Sequence, residues 1–364
     1  MKIAITGGAS AGHVVPALAV ADQLAASGAQ LVFIGRSGSI ESEYAERASL
    51  PFRAVPAAGL KRHRSWSNLL MPLTVARGVA AAWRVMRSER PDALFSKGSY
   101  VSVPVGVAAW LCKVPIVIHE SDRSLGLANL ILARLADTVC FSTTPAPQTP
   151  RWLSAKAAIT GLPLRSDLTT ADPAGLRNRL GVPESTQVLL VFCGSSGSQR
   201  VNKAIRAQLD ALCGRYAVLH VCGKGNLDPT LEGRTGYWQV EYLHQDMNDA
   251  LHLADTVIGR AGATTLAEIE ALAIPAVLVP LPTSVSRGDQ IENAAAYAER
   301  NPSRCVVVAD EALADGKPLV QACGKLRETP REPDPGPTAR HAREAASTVA
   351  RLTLAAARPA AVRR

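Results

Sequence analysis

Two stretches set glycines and small hydroxyl residues at the end of an apolar run, where the chain must turn. One is Gly7-Gly8-Ala9-Ser10-Ala11-Gly12-His13, directly after Lys2–Thr6. The other is Gly194-Ser195-Ser196-Gly197-Ser198, directly after Val188–Cys193. A turn of this kind between a strand and a helix presents N–H donors at the positive end of the helix dipole, and such donors bind phosphate. A third stretch, Gly259-Arg260-Ala261-Gly262-Ala263-Thr264-Thr265-Leu266-Ala267-Glu268, has the same character. A strand ending at Gly259 and a helix starting near Ala263 would offer Thr264, Thr265 and unpaired N–H groups to an anion. Glu268, one turn further on, is spaced to accept two hydrogen bonds from a vicinal diol such as the ribose hydroxyls. A solvated helix glutamate would have the same spacing.

The turns exclude some chemistries. The first does not fit G-x-G-x-x-G, because Ala9 stands at the second glycine. The acid expected to hold ribose after the second strand is also missing. Arg36 stands nearby instead and leaves a 2′-phosphate open as a weak alternative. Gly223-Lys224-Gly225 lacks the spacing and the hydroxyl residue of a P-loop. No metal-ligand cluster and no Asp-x-Asp motif occurs, so no metal or other cofactor is expected, and N–H groups and arginine would carry any diphosphate charge.

The elements that must position these turns alternate in type. Strands are expected at Lys2–Thr6, Gln30–Ile34, Ala93–Ser96, Ile116–His119 and Thr138–Ser142, separated by helical pattern. A second series, Val188–Cys193, Ala217–Cys222, Tyr237–Tyr242, Thr256–Ile258 and Ala276–Val279, repeats the design. Buried runs alternating with helices mark parallel sheets covered on both faces. The fold class is α/β, with two Rossmann-like parallel-sheet halves. The Thr/Pro-rich segment 142–163 places the boundary just after Gly161-Leu162-Pro163-Leu164-Arg165. Expected domains are 1–165, 166–330, and a Pro-rich linker with an Ala/Arg helix over 331–364.

The chain has 364 residues and a net charge of +9, but that charge is local. Residues 60–90 carry +6 and residues 331–364 carry +4, leaving −1 for the rest. A nucleic-acid-binding protein would show a continuous basic groove with stacking aromatics; aromatics here are only 4%. Residues 60–90 also carry Trp66, Leu69, Leu70, Met71, Leu73 and Trp83, the composition of a patch that meets an anionic membrane surface. An amphipathic helix over the core would have the same composition. No run approaches the ~18 apolar residues of a spanning helix. The seven scattered cysteines have no C-x-x-C pair and read as reduced thiols in a cytoplasm. No signal peptide is expected, because the chain runs straight into a strand.

Several motifs in order resemble the MurG family, the bacterial N-acetylglucosaminyltransferases that convert lipid I to lipid II in peptidoglycan synthesis. They are Gly7–His13, Lys97-Gly98-Ser99-Tyr100-Val101-Ser102-Val103-Pro104, His119-Glu120-Ser121-Asp122, Gly161–Arg165, Gly194–Gly197, Gly262–Glu268 and Asp289-Gln290-Ile291-Glu292-Asn293-Ala294. The resemblance runs from Lys2 to about Asn301. Ser121-Asp122, Leu162 and Ser196 depart from the family's commoner residues. Asp122 in particular adds a negative charge.

The resemblance implies GT-B architecture, two Rossmann-like domains facing across a cleft, with UDP-GlcNAc held mainly by the C-terminal one. It implies that Ser195 binds the pyrophosphate and that Arg165 adds charge. The backbone of His244 would meet uracil, and Ala263, Thr264, Thr265, Leu266 and Ala267 would form the helix N-terminus on the donor. Glu268 would hold the ribose and Gln290 the GlcNAc. Ser10, Ala11 and Gly12 would reach the donor from the other side. The reaction implied is an inverting transfer to the C4 hydroxyl of a lipid-linked MurNAc-peptide acceptor. His13, whose type is partly neutral near pH 7, is the candidate base; an ordering role in the turn is its alternative. His119, Glu120 and Asp122 are expected to position the acceptor or shape the cleft floor. The protein would lie peripherally on the cytoplasmic face of the cell membrane. A related UDP-sugar glycosyltransferase with another acceptor, a UDP-GlcNAc epimerase of the same fold, or a silent nucleotide-sugar-binding protein are the competing readings.

Overall fold

A computed structural model describes residues 1–59, 71–145, 149–164, 168, 171–194, 197–243, 246–286, 288–329 and 336–358, with side chains of the last segment from Glu344. The chain forms two units, Met1–Ser166 with His341–Arg364, and Asp167–Arg340. In the first, strands β1 (Lys2–Thr6), β2 (Gln30–Gly35), β3 (Phe52–Ala54), β4 (Ala93–Ser96), β5 (Ile116–Glu120), β6 (Thr138–Phe141) and β7 (Ala157–Ile159) form one parallel sheet. Its order is β3-β2-β1-β4-β5-β6-β7. In the second, β8 (Val188–Phe192), β9 (Ala217–Val221), β10 (Tyr237–Val240), β11 (Thr256–Gly259), β12 (Ala276–Leu278) and β13 (Cys305–Val307) pair in parallel in the order β10-β9-β8-β11-β12-β13.

One device recurs where neighbouring strands begin. Asp92 accepts a hydrogen bond from the N–H of Lys2 at 2.8 Å, Asp137 from Ile116 at 2.9 Å, and Asp255 from Val188 at 2.7 Å. Each aspartate precedes one strand and satisfies the first donor of the strand beside it. The register of β1 on β4, β5 on β6 and β8 on β11 is thereby fixed at the amino end.

The helices are α1 (Ala11–Ala26), α2 (Ile40–Arg47), α3 (Met71–Glu89), α4 (Ser102–Leu111), α5 (Leu127–Leu135), α6 (Pro173–Leu180), α7 (Gln199–Arg206), α8 (Leu209–Cys213), α9 (Met247–Leu253), α10 (Ala263–Ala271), α11 (Asp289–Arg300), α12 (Lys317–Leu326) and α13 (Gly336–Ala356). In the first unit, Met86 of α3, Val105 of α4 and Leu132 of α5 pack with Leu94 and Ile118 on one side of the sheet. Val20 and Leu24 of α1 pack with Ile5 and Phe95 on the other, and Val349 and Ala350 of α13 join them. In the second unit, Ile205 of α7, Leu212 of α8 and Leu319 of α12 cover Leu189, Val191 and Ile258.

The expected strands are present within a residue or two of their bounds. β3, β7 and β13 are additional, each three residues long. Between β8 and β9 the chain forms two helices, α7 and α8, because the run breaks at Ala207-Gln208. The tail helix, read as a segment of its own, contributes to the core of the first unit. Among the described residues, no helix is long and apolar enough to cross a membrane.

Val349 is fully buried, so Val349→Asp leaves an unpaired carboxylate in an apolar core. This is expected to cost about 3 kcal/mol in urea unfolding of the full chain. An unchanged midpoint would remove α13 from that core.

Candidate active site

In a parallel sheet every strand points its carboxyl end to the same edge, and each following helix starts there. Ligands bind where two neighbouring strands send their connections to opposite faces. That point lies beside β1 in one unit and beside β8 in the other.

In the first unit the glycine turn closes on the protein's own charges. Ala9 has φ 68°, in the left-handed region. Its N–H donates to Glu41 Oε2 at 3.2 Å, and the N–H of Arg36 donates to Glu41 Oε1 at 3.2 Å. Glu41, at the start of α2, is fully buried. A Cβ on Gly8 would lie 2.6 Å from the Glu41 carboxyl carbon. This carboxylate occupies donors that a nucleotide phosphate would use, and its charge repels one. That disfavours a dinucleotide at this turn, with or without Arg36.

Ser10 then opens α1, and its Oγ lies 2.8 Å from His13 Nδ1. A neutral ring whose Nδ1–H donates to Ser10 presents the Nε2 lone pair as a proton acceptor. Burial, and secondarily the Lys97 ammonium, push His13 down to about 3, so the imidazole is neutral at pH 7. Gly12 is exposed beside it. Of Ala11 only the backbone is described.

Behind His13, the turns after β4 and β5 are built around Lys97. This lysine is 1% exposed, and its ammonium donates to Ser121 Oγ. Burial lowers it to about 8, against the opposing charges of Glu120 and Asp122. The Glu120 carboxylate is fully committed: Oε1 accepts the N–H groups of Ser121 and Asp122, and Oε2 those of Gly126 and the Asn129 amide. His119 has no exposed surface; its ring lies 2.9 Å from the Gly161 carbonyl through Nε2, and burial holds it neutral. His119 and Glu120, expected to position the acceptor or shape the cleft floor, are thus both buried within the turns of this unit. Glu120 and the His119 ring fix the backbone of neighbouring turns, while His119 Nδ1 is buried without a hydrogen-bond partner among the described residues. Asp122 is half-buried, with its charge opposite Lys97.

In the second unit, Gly197 has φ 68°, and a Cβ there would lie 1.9 Å from the Cys222 carbonyl oxygen. Only glycine lets this turn rest on the end of β9. Arg260 braces the same edge. Its guanidinium donates to Ser198 Oγ at 2.7 Å and to the carbonyls of Val279 and Pro280 at 3.1 and 3.3 Å, and it pairs with buried Asp310 at 2.6 Å. Arg260 thus ties the start of α7 to the ends of β11 and β12.

Gly262 precedes α10 with an extended backbone, and as a glycine it brings no side-chain cap to this terminus. Ala263, Thr264 and Thr265 are half-buried in the first turn. The Leu266 N–H is already bonded to the Gly262 carbonyl at 3.0 Å, and Ala267 lies deeper in the helical ladder. This corrects the expected donor set, which shrinks to the first three N–H groups. Glu268 is buried, so it is not a solvated helix glutamate. Gln290, at the start of α11, accepts the Leu281 N–H at 3.1 Å through Oε1, and Asn293 donates to the Ala261 carbonyl at 3.4 Å. Both hold α11 to the edge that carries α10.

Arg165, Ser195 and His244 lie outside the described residues. Glu41, Lys97 and Arg260 brace these turns, a role that residue type and spacing did not assign to them. For Lys97 and Arg260 a signal existed, since each stands directly after a strand beside the switch point. Glu41 had none.

Residues 3–141 match the glycosyltransferase family 28 N-terminal domain, and residues 188–352 match the glycosyltransferase family 28 C-terminal domain. The chain belongs to glycosyltransferase family 28. It is 39% identical over 313 residues to the UDP-N-acetylglucosamine--N-acetylmuramyl-(pentapeptide) pyrophosphoryl-undecaprenol N-acetylglucosamine transferase of Clostridium perfringens strain SM101, covering 86% of each chain. The Geobacillus kaustophilus protein of the same name is 41% identical over 305 residues, covering 82% of this chain and 85% of its own. Among solved structures, Acinetobacter baumannii MurG superposes with a TM-score of 0.68 at 23% identity, over 97% of this chain and 99% of that one. The kitacinnamycin glycosyltransferase also gives 0.68, at 14% identity over 98% and 99% of the two chains. These last two likenesses concern the fold.

Glu41 holds the Ala9 N–H and leaves no room for a side chain on Gly8. Gly8→Ala is expected to displace the Glu41 carboxylate and cost about 1–3 kcal/mol in thermal or urea unfolding. A variant as stable as the wild type would show that the turn has room for a side chain.

Proposed function

We propose that this protein transfers GlcNAc from UDP-GlcNAc to the C4 hydroxyl of MurNAc-pentapeptide on undecaprenyl diphosphate, the step from lipid I to lipid II. The observation that carries the reading is the 39–41% identity, over more than four-fifths of the chain, to enzymes named for that reaction. The uncapped start of α10, with the Glu268 carboxylate buried one turn on, suits a nucleoside diphosphate.

In the displacement, the acceptor hydroxyl oxygen attacks the anomeric carbon and the bond from that carbon to UDP breaks. The bonding electrons leave with the diphosphate, the hydroxyl proton passes to a base, and the anomeric configuration inverts. Donor binding falls to the second unit. The N–H groups of Ala263, Thr264 and Thr265 face the diphosphate, where they stabilise the charge that grows as UDP departs. Glu268 accepts from the ribose hydroxyls and Gln290 meets the GlcNAc. Arg165, Ser195 and His244 are proposed to add to the diphosphate and uracil contacts. On the acceptor side, His13 takes the proton, and Ser10 fixes the ring so that Nε2 is the accepting atom. Ser10, Ala11 and Gly12 form the turn through which that side also meets the donor.

The acceptor's lipid requires an approach to a membrane surface, at the cytoplasmic face where nucleotide sugars are available. Helices α3, α4 and α5 pack side by side and expose Leu73, Trp83, Trp110, Leu127 and Ile131. Arg87 lies over the Trp83 ring at 5.4 Å and Arg134 over Trp152 at 4.5 Å. Aromatics and aliphatics mixed with arginine suit an anionic lipid interface. The basic residues 60–70 lie outside the described residues.

The test is transfer from UDP-GlcNAc with and without a lipid I analogue. Lipid-dependent formation of the disaccharide is expected. Formation of UDP-ManNAc without lipid, or binding without turnover, would contradict the reading. Glu268→Ala is expected to raise the donor Kd by about 10-fold or more, and an unchanged Kd would remove Glu268 from the ribose site.

A further inference from the structure

A buried ion pair needs a reason, because an apolar pair of similar size would pack there at less cost. Arg260 and Asp310 form such a pair in the second unit. Their side chains are 11% and 2% exposed and meet at 2.6 Å. What an apolar side chain cannot do is donate from a planar fork to several acceptors at once. Arg260 does this at the carboxyl edge of the sheet, where β8 and β11 end side by side with Phe192 opposite Gly259.

The connections that leave this edge are held by the one guanidinium. Nη2 donates to Ser198 Oγ at 2.7 Å, at the end of the glycine turn after β8. Ser198 also caps α7, accepting the Val201 N–H at 3.4 Å. Nη1 donates to the carbonyls of Val279 and Pro280, just after β12, at 3.1 and 3.3 Å. Leu281 comes next, and its N–H is the one that Gln290 Oε1 accepts at 3.1 Å. The backbone of Arg260 itself runs through Ala261 and Gly262 into α10. Asp310, beyond β13, completes the set and also pairs with Arg200 of α7 at 3.0 Å.

We propose that Arg260 is a positioning residue for the transfer reaction: its guanidinium holds the glycine turn after β8, the start of α10 and the Pro280–Leu281 step that carries Gln290 at one fixed spacing, so that the diphosphate and the GlcNAc of the donor meet their contacts together. This rests on the reading of the second unit as the UDP-GlcNAc site. The charge of Arg260 is already answered by Asp310, so the arginine acts through direction and spacing and not by adding a cation to the site. Gln290 spends its Oε1 on Leu281, which leaves its amide N–H groups for the sugar. Glu268, assigned to the ribose, stands a turn further along α10. A lysine at 260 keeps the charge, but a single ammonium cannot span Ser198, two carbonyls and Asp310.

The test measures UDP and uridine affinities of the full-length protein by titration calorimetry, with thermal unfolding alongside. Arg260→Lys is expected to raise the UDP Kd by about 10-fold and the uridine Kd by less than about twofold. Asp310→Asn leaves an oxygen for Arg260 and removes the charge, so Tm should fall while the UDP Kd stays that of the wild type. A structural role alone would make UDP affinity follow Tm in both variants. Ser198→Ala removes only the link to the glycine turn; it should show the same split between UDP and uridine, and it decides the matter if Arg260→Lys does not fold. An unchanged UDP Kd in the folded variants at 260 or 198, an equal loss for uridine, or an equal UDP loss in Asp310→Asn would overturn the proposal. A wild-type protein that binds no UDP would overturn the donor reading itself, and this proposal with it.

Discussion

The parallel direction of the strands is the constraint on which everything else depends. β1 and β8 are each flanked by parallel neighbours, and Asp92 and Asp255 fix where those strands begin. With the amino ends fixed, Thr6 and Phe192 have defined positions at the opposite edge. The chain can leave that edge only by a tight turn into a helix. In each unit the turn places backbone donors and a helix terminus beside the neighbouring strand's exit. The residues there, Lys97 after β4 and Arg260 after β11, become the side chains that stabilise the turn.

The two units use this common design for different ends. In the first, the glycine turn is filled from behind by the carboxylate of Glu41 and the stem of Lys97. Its donors serve the protein itself, and what it offers outward is His13. In the second, Arg260 is absorbed by Ser198, two carbonyls and Asp310, and α10 starts from Gly262, which has no side chain to cap its N–H groups. In the proposed reaction one turn supplies the proton acceptor, and the other supplies N–H groups to the diphosphate. A transferase that must activate a hydroxyl and stabilise a departing diphosphate has use for both.

Much of the fold was legible because buried parallel strands are continuous apolar runs, and the glycine turns follow them at once. β3, β7 and β13 were not, since three residues at or near a sheet edge give no periodic signal. The place of α13 was not legible either. An Ala/Arg helix after a Pro-rich stretch looks the same whether it stands alone or, as here, buries Val349 and Ala350. In the site, the start of α10 could be read from the sequence, whereas the burial of Glu268 could not, since a solvated helix glutamate has the same spacing. Glu41 and Lys97 could not be read as buried, because charged residues are usually exposed and only their neighbours in the fold bury them. His119 and Glu120 show the converse: residues of catalytic type, next to each other at the end of a strand, whose hydrogen bonds are used internally.

On the proposed reading the nucleoside diphosphate binds at the start of α10 in the second unit and not at the filled glycine turn of the first. Backbone amide exchange in the presence and absence of UDP tests it directly. Slowed exchange is expected at Ala263, Thr264 and Thr265, with the Gly7–Ala9 amides unaffected. Protection confined to Gly7–Ala9, with α10 unchanged, would contradict it.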